Sequence, residues 1–243
     1  MKEFESLDRL ILRKILQVPV STPQESFYLE LGNLPIGVIV KARRINYLHY
    51  LLTRDPHEML YKFFITQWYQ PCRGDWTEVV QQNLKEFNIP CDFKYIRSKS
   101  CEAFKNIVKT KAKEYALEQL TLKQQKHSKM EELHYTEIKP QEYLMMKNVG
   151  IDQIRNIFRF RVRMAKFGEN YRGNEDHVMC PLCHKHFDSQ KFSFQCEFFR
   201  DKLEIKCNMS DLYSDNVTVE TAQTIDKMMK LREEHLRNQA ENT

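Results

Sequence analysis

Glycine and proline are scarce in this sequence, with six and eight residues among 243. Tight turns draw on these two residues, so the composition argues against an all-β fold with many hairpins. No apolar run reaches the roughly eighteen residues of a membrane span, and the N-terminus lacks the apolar core of a signal peptide. The seven cysteines are an odd number, which argues against a complete disulfide framework. We therefore predict an intracellular protein of the nucleus or cytoplasm, without a membrane partner.

Residues that favour helices are abundant, and their pattern predicts a mainly α fold. Near the N-terminus, Leu7, Leu10, Ile11 and Ile15 recur at helical spacing. Proline or aspartate, which start helices, introduces four further segments, at Pro23, Pro35, Asp55 and Asp75. Gly32 should end the helix that Pro23 begins. The segment of residues 1–170 is therefore predicted to be an array of short helices, the helical body.

Positive charge is concentrated on two predicted helices, although the net charge of the chain is only +5. Between Arg97 and Met130, nine lysines and arginines face three glutamates, and a second basic helix is predicted over 151–167. Charge runs of this kind are usually only solvated helix faces, but Lys and Arg also bind phosphates with release of counterions. The residues predicted to contact nucleic acid are Arg43, Arg44, Lys105, Lys109, Lys111, Lys113, Arg155, Arg159, Arg163 and Lys166.

Three cysteines and a histidine near the C-terminus have the spacing of a zinc site. Cys180 and Cys183 are two residues apart, His186 follows, and Cys196 returns after an aromatic run. Cys-x2-Cys turns aim two sulfurs at one tetrahedral cation, and four protein ligands leave no open position, so the zinc would be structural. His184 and Cys207 remain alternatives for the fourth ligand. The sequence thus predicts a small zinc-knuckle unit over 171–210 and a closing helix with a frayed tail over 211–243.

Segments spread over nearly the whole chain carry a family resemblance. They are residues 10–16, 28–32, 35–36, 43–50 and 59–64, together with Cys180-Pro-Leu-Cys183, Asp188-Ser189-Gln190 and Cys196. This pattern resembles the region downstream of the reverse transcriptase in polyproteins of non-LTR (LINE-type) retrotransposons, including its closing zinc knuckle. Many family members carry a histidine shortly before the last cysteine, where this sequence has Lys191 and Phe192.

The resemblance implies a nucleic-acid-handling tail separated from its enzyme. The polymerase domain and its paired aspartates are missing, since the sequence contains no Asp-Asp pair. We therefore expect a non-enzymatic retrotransposon remnant that binds nucleic acid, RNA in preference to DNA. A reverse transcriptase domain supplied in trans is a further expected partner.

Two other functions compete with this hypothesis. A helical array exposing Trp68, Tyr69 and Trp76 would serve as a protein-interaction module for a polymerase or another partner. The segment Asp201–Lys206 contains the residue types with which nucleases hold Mg²⁺. Fewer than forty residues follow Lys206, too few for the mixed sheet of such a nuclease. A metal-dependent nuclease is therefore the minor alternative.

Overall fold

The regular structure of the chain is α-helical, which confirms the predicted mainly α class. The structure is a computed structural model that describes residues 2–70, 72–170, 179–214 and 217–241. Within these ranges it has no β-strand and only the isolated bridges Leu31–Pro140 and Met179–Phe187. The helices are α1 (Lys2–Leu16), α2 (Gln24–Leu31), α3 (Ile36–Leu52), α4 (Met59–Tyr69), α5 (Trp76–Glu86), α6 (Phe93–Arg97), α7 (Cys101–Gln124), α8 (Ile151–Arg161), α9 (Gln190–Ser193), α10 (Glu197–Lys202), α11 (Met209–Tyr213) and α12 (Val219–Glu241). None of the described helices is long and apolar enough to cross a membrane.

Local sequence signals set several helix ends. Pro23 and Pro35 stand immediately before α2 and α3, where a missing N–H costs nothing. The Asp75 side chain accepts a hydrogen bond from the Glu78 N–H at the start of α5, at 3.5 Å. Gly32 ends α2 with a left-handed φ of 68°, and its N–H donates to the Tyr28 carbonyl.

The two basic helices differ from their predicted extent. The segment predicted as one helix over 97–130 is divided, because α6 ends at Arg97 and α7 occupies only Cys101–Gln124. The helix predicted over 151–167 ends at Arg161, and Arg163 adopts a left-handed φ of 50°. Arg163 and Lys166 therefore lie beyond α8, so the four predicted contacts Arg155, Arg159, Arg163 and Lys166 do not share one helix.

Residues Lys202–Lys206 alternate polar and apolar side chains, a pattern that predicts a short strand, but no strand forms there. Lys202 is the last residue of α10, and residues 204–208 are irregular. A lone strand cannot satisfy its backbone groups without a partner, and the described residues supply none. The predicted last helix is confirmed as α12, which Thr218 precedes with its hydroxyl accepting the Thr221 N–H.

The chain divides into two compact units. The first comprises Met1–Asp8, Asn33–Leu122 and Tyr135–Ile138. Its central helix is α3, which packs against α4, α5 and α6. The core of this unit is formed by the fully buried side chains Ile45, Leu48, Leu52, Val80, Leu84, Ile96, Phe104 and Val108.

The second unit comprises Arg9–Gly32, Lys123–His134 and Lys139–Thr243. Helix α8 packs against α12 and α11, and its core includes Ile157, Phe158, Phe160, Leu212, Ile225 and Met228. Both predicted domain boundaries, near residues 170 and 210, fall inside this unit and remain predictions. Residues 171–178, the start of the predicted zinc-knuckle unit, lie outside the described part of the chain.

Two buried ion pairs tie the second unit together. The Arg161 guanidinium donates from Nε to both carboxylate oxygens of Glu30, at 3.0 and 2.9 Å. Arg232 donates to Asp188 at 2.6 Å, and all four side chains are at most 5% exposed. Neither pair is visible as a sequence motif, because the partners are far apart along the chain.

Candidate metal centre and nucleic-acid interface

A tight hairpin positions the first two cysteines of the candidate metal centre. The Cys180 N–H donates to the His186 carbonyl at 2.7 Å, next to the bridge between Met179 and Phe187. His184 turns the chain with a left-handed φ of 53°, and its N–H donates to the Cys180 carbonyl at 2.9 Å. The hairpin directs the two thiols to one side, as the Cys-x2-Cys spacing predicts.

The third cysteine completes a triad of thiols. The sulfur atoms of Cys180, Cys183 and Cys196 all lie within 4.8 Å of one another, and those of Cys180 and Cys196 are 3.9 Å apart. Cys196 stands at the start of α10, so it reaches the hairpin from a separate element. In the described part of the chain, this is the one group of His, Cys, Asp and Glu side chains that converges closely enough to hold a metal ion.

Backbone N–H groups surround the three sulfurs. Those of Lys185 and His186 point at the Cys183 sulfur, and those of Leu182 and Cys183 point at the Cys180 sulfur. The Phe199 N–H donates to the Cys196 carbonyl at 3.1 Å and also lowers the pKa of the Cys196 thiol. Such donors orient ligands around a metal and stabilise thiolate charge, so the donor set fits a thiophilic cation.

The thiols differ in how readily they ionise. Burial, with a smaller contribution from the neighbouring Cys180, raises the pKa of Cys196 to about 12, although the Phe199 N–H opposes the rise. Burial also raises the pKa of Cys180, although its two N–H donors offset part of the rise. Burial acts in the same direction on Cys183, but N–H and thiol donors outweigh it, so its pKa is lowered. Of the three thiols, Cys183 therefore ionises most readily.

The fourth predicted ligand is not brought to the triad. Three candidates for the fourth ligand were predicted, namely His186, His184 and Cys207. None of them places a ligand atom within 4.8 Å of all three triad sulfurs. The His186 ring instead stacks on Phe192, with ring centroids 5.7 Å apart. The His186 carbonyl accepts from the Cys180 N–H, so the backbone of His186 belongs to the thiol hairpin although its ring does not join the triad. Three of the four predicted ligands are thus assembled.

A small apolar core supports the triad. Leu182 and Phe199 are buried with Cys180 and Cys196, and Met228 of α12 closes the cluster. Phe194 and Phe198 are partly buried against it. Packing is therefore the role that these phenylalanines have in the structure. The cluster also joins the thiol hairpin to α12 within the second unit.

The basic residues predicted on the second helix are bonded within the protein. Arg159 is buried, and its guanidinium donates to the Gln17 carbonyl at 3.0 Å and to the Asn156 side chain at 3.0 Å. Arg155 donates to the Ile15 carbonyl at 2.7 Å and pairs with Asp152. These bonds give both arginines a role in the folded structure of the second unit.

The two basic residues beyond α8 also have acidic partners. Arg163 pairs with Glu132 at 3.1 Å and donates to the Tyr213 hydroxyl. Lys166 pairs with Glu233 at 3.1 Å, although its side chain stays 59% exposed. A phosphate would have to compete with a carboxylate at each of these positions.

The lysines of α7 have different surroundings. Lys105 and Lys109 are exposed and Lys113 is half-buried, and none of the three has an ion pair or hydrogen bond among the described residues. Their spacing of four residues places them along one face of α7. Lys111 pairs with Glu114 at 2.7 Å. On α3, Arg43 is exposed and Arg44 half-buried, again without a described partner.

The first unit also contains an apolar groove that the sequence analysis did not assign. Its cavity of about 480 Å³ is lined mainly by side chains of α3 and α4, with Trp76 of α5. Of the predicted aromatic docking residues, Trp76 lines this groove, Tyr69 is 72% exposed elsewhere on α4, and Trp68 packs on Phe93. The sequence does contain a signal for this groove. Apolar residues occur on two faces of α4, whereas a helix that faces one core needs only a single apolar stripe.

The residues considered for a nuclease do not form a metal site. Glu204 pairs with Lys206 at 3.0 Å, and both side chains are more than three-quarters exposed. No cluster of carboxylates that includes Asp201 or Glu204 converges in the described ranges.

Comparison of the chain with protein-family models, with curated proteins and with solved structures found no match.

Proposed function

We propose that this protein binds nucleic acid without catalysis, RNA in preference to DNA, through the lysines of α7. The observation that carries the proposal is the row of Lys105, Lys109 and Lys113, which lacks described carboxylate partners. Cations that are not neutralised by the protein itself are those that gain most from a phosphate backbone. Arg43 and Arg44 belong to the same unit and extend the set of candidate contacts.

The preference for RNA and the origin of the chain come from the family resemblance. The chain is proposed to be a remnant of a non-LTR retrotransposon polyprotein, acting apart from its polymerase. A reverse transcriptase domain in trans is proposed as a second partner. The retrotransposon origin and the polymerase partner are supported by the sequence segments named above and by the thiol triad, whose spacing resembles that of the family's zinc knuckle.

We propose further that the thiol triad holds a structural zinc ion. Cys180, Cys183 and Cys196 would supply three ligands and His186 the fourth. The ion would supply a closed, redox-inert tetrahedral clamp. It would neutralise thiolates that burial otherwise disfavours, and so hold the hairpin to α10. The support is the convergence of three sulfurs with N–H donors aimed at them.

Salt titration of RNA binding tests the main proposal. The triple variant Lys105→Gln, Lys109→Gln, Lys113→Gln should reduce the slope of log affinity against log salt by about 2, since each single-strand phosphate contact contributes about 0.7. The matched control replaces Lys94, Lys191 and Lys227, which are exposed and have no described partner either. The control loses the same net charge and should keep the native slope. Equal slopes for the two triple variants would refute the α7 interface.

Metal analysis tests the zinc proposal. Mass spectrometry of the native protein should find one zinc per chain, and Cys180→Ser should lose it. Cys207→Ser is the matched control, because this half-buried thiol lies outside the triad and was the alternative fourth ligand. Zinc retained in Cys180→Ser, or lost in Cys207→Ser, would contradict the ligand set.

A protein-interaction module is the second candidate, favoured by the exposed aromatic side chains of the first unit. Tyr69 and Phe63 are 72% and 68% exposed, which is unusual for rings of this size. Salt distinguishes the two functions, because phosphate contacts weaken steeply with ionic strength and an aromatic docking surface responds little.

A further inference from the structure

The groove of the first unit combines exposed aromatic rings with a wall free of acidic residues. Tyr47 of α3, Leu60 and Phe63 of α4 and Trp76 of α5 line its cavity of about 480 Å³. Tyr47, Leu60 and Phe63 are 45%, 42% and 68% exposed. Large side chains exposed together in one concave surface indicate a binding site rather than chance exposure.

Tyr47 of the groove packs against two other rings, namely Trp76, which also lines the cavity, and Tyr50, which lies beside it. Tyr47 and Tyr50 are nearly parallel, with centroids 5.7 Å apart and an angle of 21°. Trp76 meets the edge of Tyr47 at 84°, with centroids 5.6 Å apart. The Arg54 guanidinium, which also pairs with Glu58, lies 5.2 Å from the centre of the Tyr50 ring. Rings and a guanidinium plane are the surfaces on which nucleobases stack.

The walls of the groove are formed by α3 and α4, and the charge of these helices distinguishes between a peptide and a polyanion as the ligand. Helices α3 and α4 contain four lysines and arginines, namely Lys41, Arg43, Arg44 and Lys62, and no aspartate or glutamate. Lys41 is paired with Glu86, whereas the other three have no described partner. An apolar peptide has no need of an acid-free, basic wall. A polyanion with planar rings requires both features.

Polar groups in the groove suit base edges. The Thr66 hydroxyl donates to the Lys62 carbonyl at 3.0 Å, so its oxygen can still accept a hydrogen bond. Gln70 lines the same cavity and presents an amide with both donor and acceptor atoms. Phosphate contacts and stacking without strict base readout are typical of single-strand binding.

From this geometry we propose that the groove stacks the bases of single-stranded RNA, while Arg43 and Lys62 contact its phosphates. The inference rests on the proposed function, because it specifies a second contact surface for the same ligand class. It goes beyond that function by predicting a dependence on unpaired bases, which the α7 lysines alone do not require.

Substitutions at the groove separate stacking from charge. Phe63→Ala and Tyr47→Ala remove exposed rings, and Tyr69→Ala is the matched control, an aromatic residue of α4 that is 72% exposed and does not line the cavity. The probes are a single-stranded RNA of about ten nucleotides, its abasic analogue and an RNA duplex of the same length. Fluorescence anisotropy measures each affinity.

Each groove variant should lose about tenfold in affinity for the single strand, with the salt slope unchanged. The abasic analogue should bind the native protein at least as weakly as the single strand binds Phe63→Ala, and Tyr69→Ala should bind like the native protein. A direct readout is available because the chain has two tryptophans. In Trp68→Phe, single-stranded RNA should quench the fluorescence of Trp76, and the abasic analogue should not.

Two outcomes overturn the inference, and they are distinguishable. If the native protein binds all three probes equally and Phe63→Ala changes nothing, the groove does not stack bases, although the α7 interface stands. A protein would then be the better occupant of the groove. If the native protein binds none of the probes, the proposed function fails and the inference fails with it.

Discussion

Replacing Arg159 by glutamine distinguishes a structural role from a phosphate-binding role. This arginine belonged to the predicted contact set, yet it is only 9% exposed. Its Nη2 donates to the Gln17 carbonyl at 3.0 Å, and its Nη1 donates to the Asn156 side chain at 3.0 Å. A phosphate could reach the guanidinium only by displacing these bonds.

The expected loss of stability follows from the carbonyl acceptors that lose their hydrogen-bond donor in Arg159→Gln. Glutamine is shorter than arginine by two atoms along the side chain, so the Gln17 carbonyl and the carbonyl of the buried Leu16 lose the donor that Arg159 supplies. A buried polar group left without a partner costs about 1–3 kcal/mol. We therefore expect Arg159→Gln to lower the free energy of unfolding by about 2–3 kcal/mol. For a chain of this length, that corresponds to a fall in melting temperature of about 4–12 °C.

For Lys109→Gln we expect the opposite of Arg159→Gln, namely unchanged stability and weaker RNA binding. Lys109 is exposed and has no described partner, so its substitution should change stability by no more than about 0.5 kcal/mol. It should, however, reduce the salt slope for single-stranded RNA by about 0.7. Arg159→Gln should leave that slope at the native value.

Two assays on the same samples decide between the roles. Circular dichroism at 222 nm follows thermal unfolding, and fluorescence anisotropy measures RNA affinity well below the transition. The reasoning from burial would be refuted if Arg159→Gln kept the native melting temperature and weakened RNA binding as Lys109→Gln does.

Three further outcomes are expected. Arg161→Met should destabilise the protein by about 3–5 kcal/mol in urea unfolding, because the buried Glu30 carboxylate would lose the guanidinium with which it pairs at 2.9 Å. The double variant with Glu30→Leu should recover most of that loss, and a double variant as unstable as the single one would contradict this. Gly32→Ala should lower the melting temperature, since a Cβ there would lie 2.1 Å from the Pro140 nitrogen at a φ of +68°; an unchanged transition would show that the close approach is absent in solution. Zinc affinity, measured by competition with a chromophoric chelator, should rise with pH by up to about tenfold per unit for each proton released. The reason is that burial raises the pKa of Cys196 to about 12, so zinc binding must expel the proton of this thiol. A zinc affinity independent of pH would exclude Cys196 as a ligand.

Much of the helical architecture was accessible from local sequence signals. Three helix starts depend only on residues within one turn of the chain, at Pro23, Pro35 and Asp75. The two prolines have no N–H that would need a partner, and the Asp75 side chain accepts an N–H of the first turn of α5. Gly32 ends a helix for the same local reason. The spacing of Cys180 and Cys183 likewise encodes a tight hairpin, and the third predicted thiol, Cys196, lies beside it in the structure.

The basic residues of the second unit could not be assigned from sequence. The prediction placed Arg155, Arg159, Arg163 and Lys166 on one helix over 151–167, but that helix, α8, ends at Arg161. A charge pattern does not reveal which cations have carbonyl or carboxylate partners from distant segments, such as the Gln17 carbonyl that accepts from Arg159. Solvated and buried arginines therefore look alike in a sequence.

The sequence by itself determined the helical class, most helix starts and the convergence of neighbouring thiols, because each depends on contacts within a few residues. Only the tertiary structure decided which positive charges remain free, where the aromatic groove lies and which distant carboxylates are buried with arginines. These features depend on contacts between segments far apart in the chain. Such contacts are fixed by the packing of the whole unit and leave no periodic signal in any one stretch.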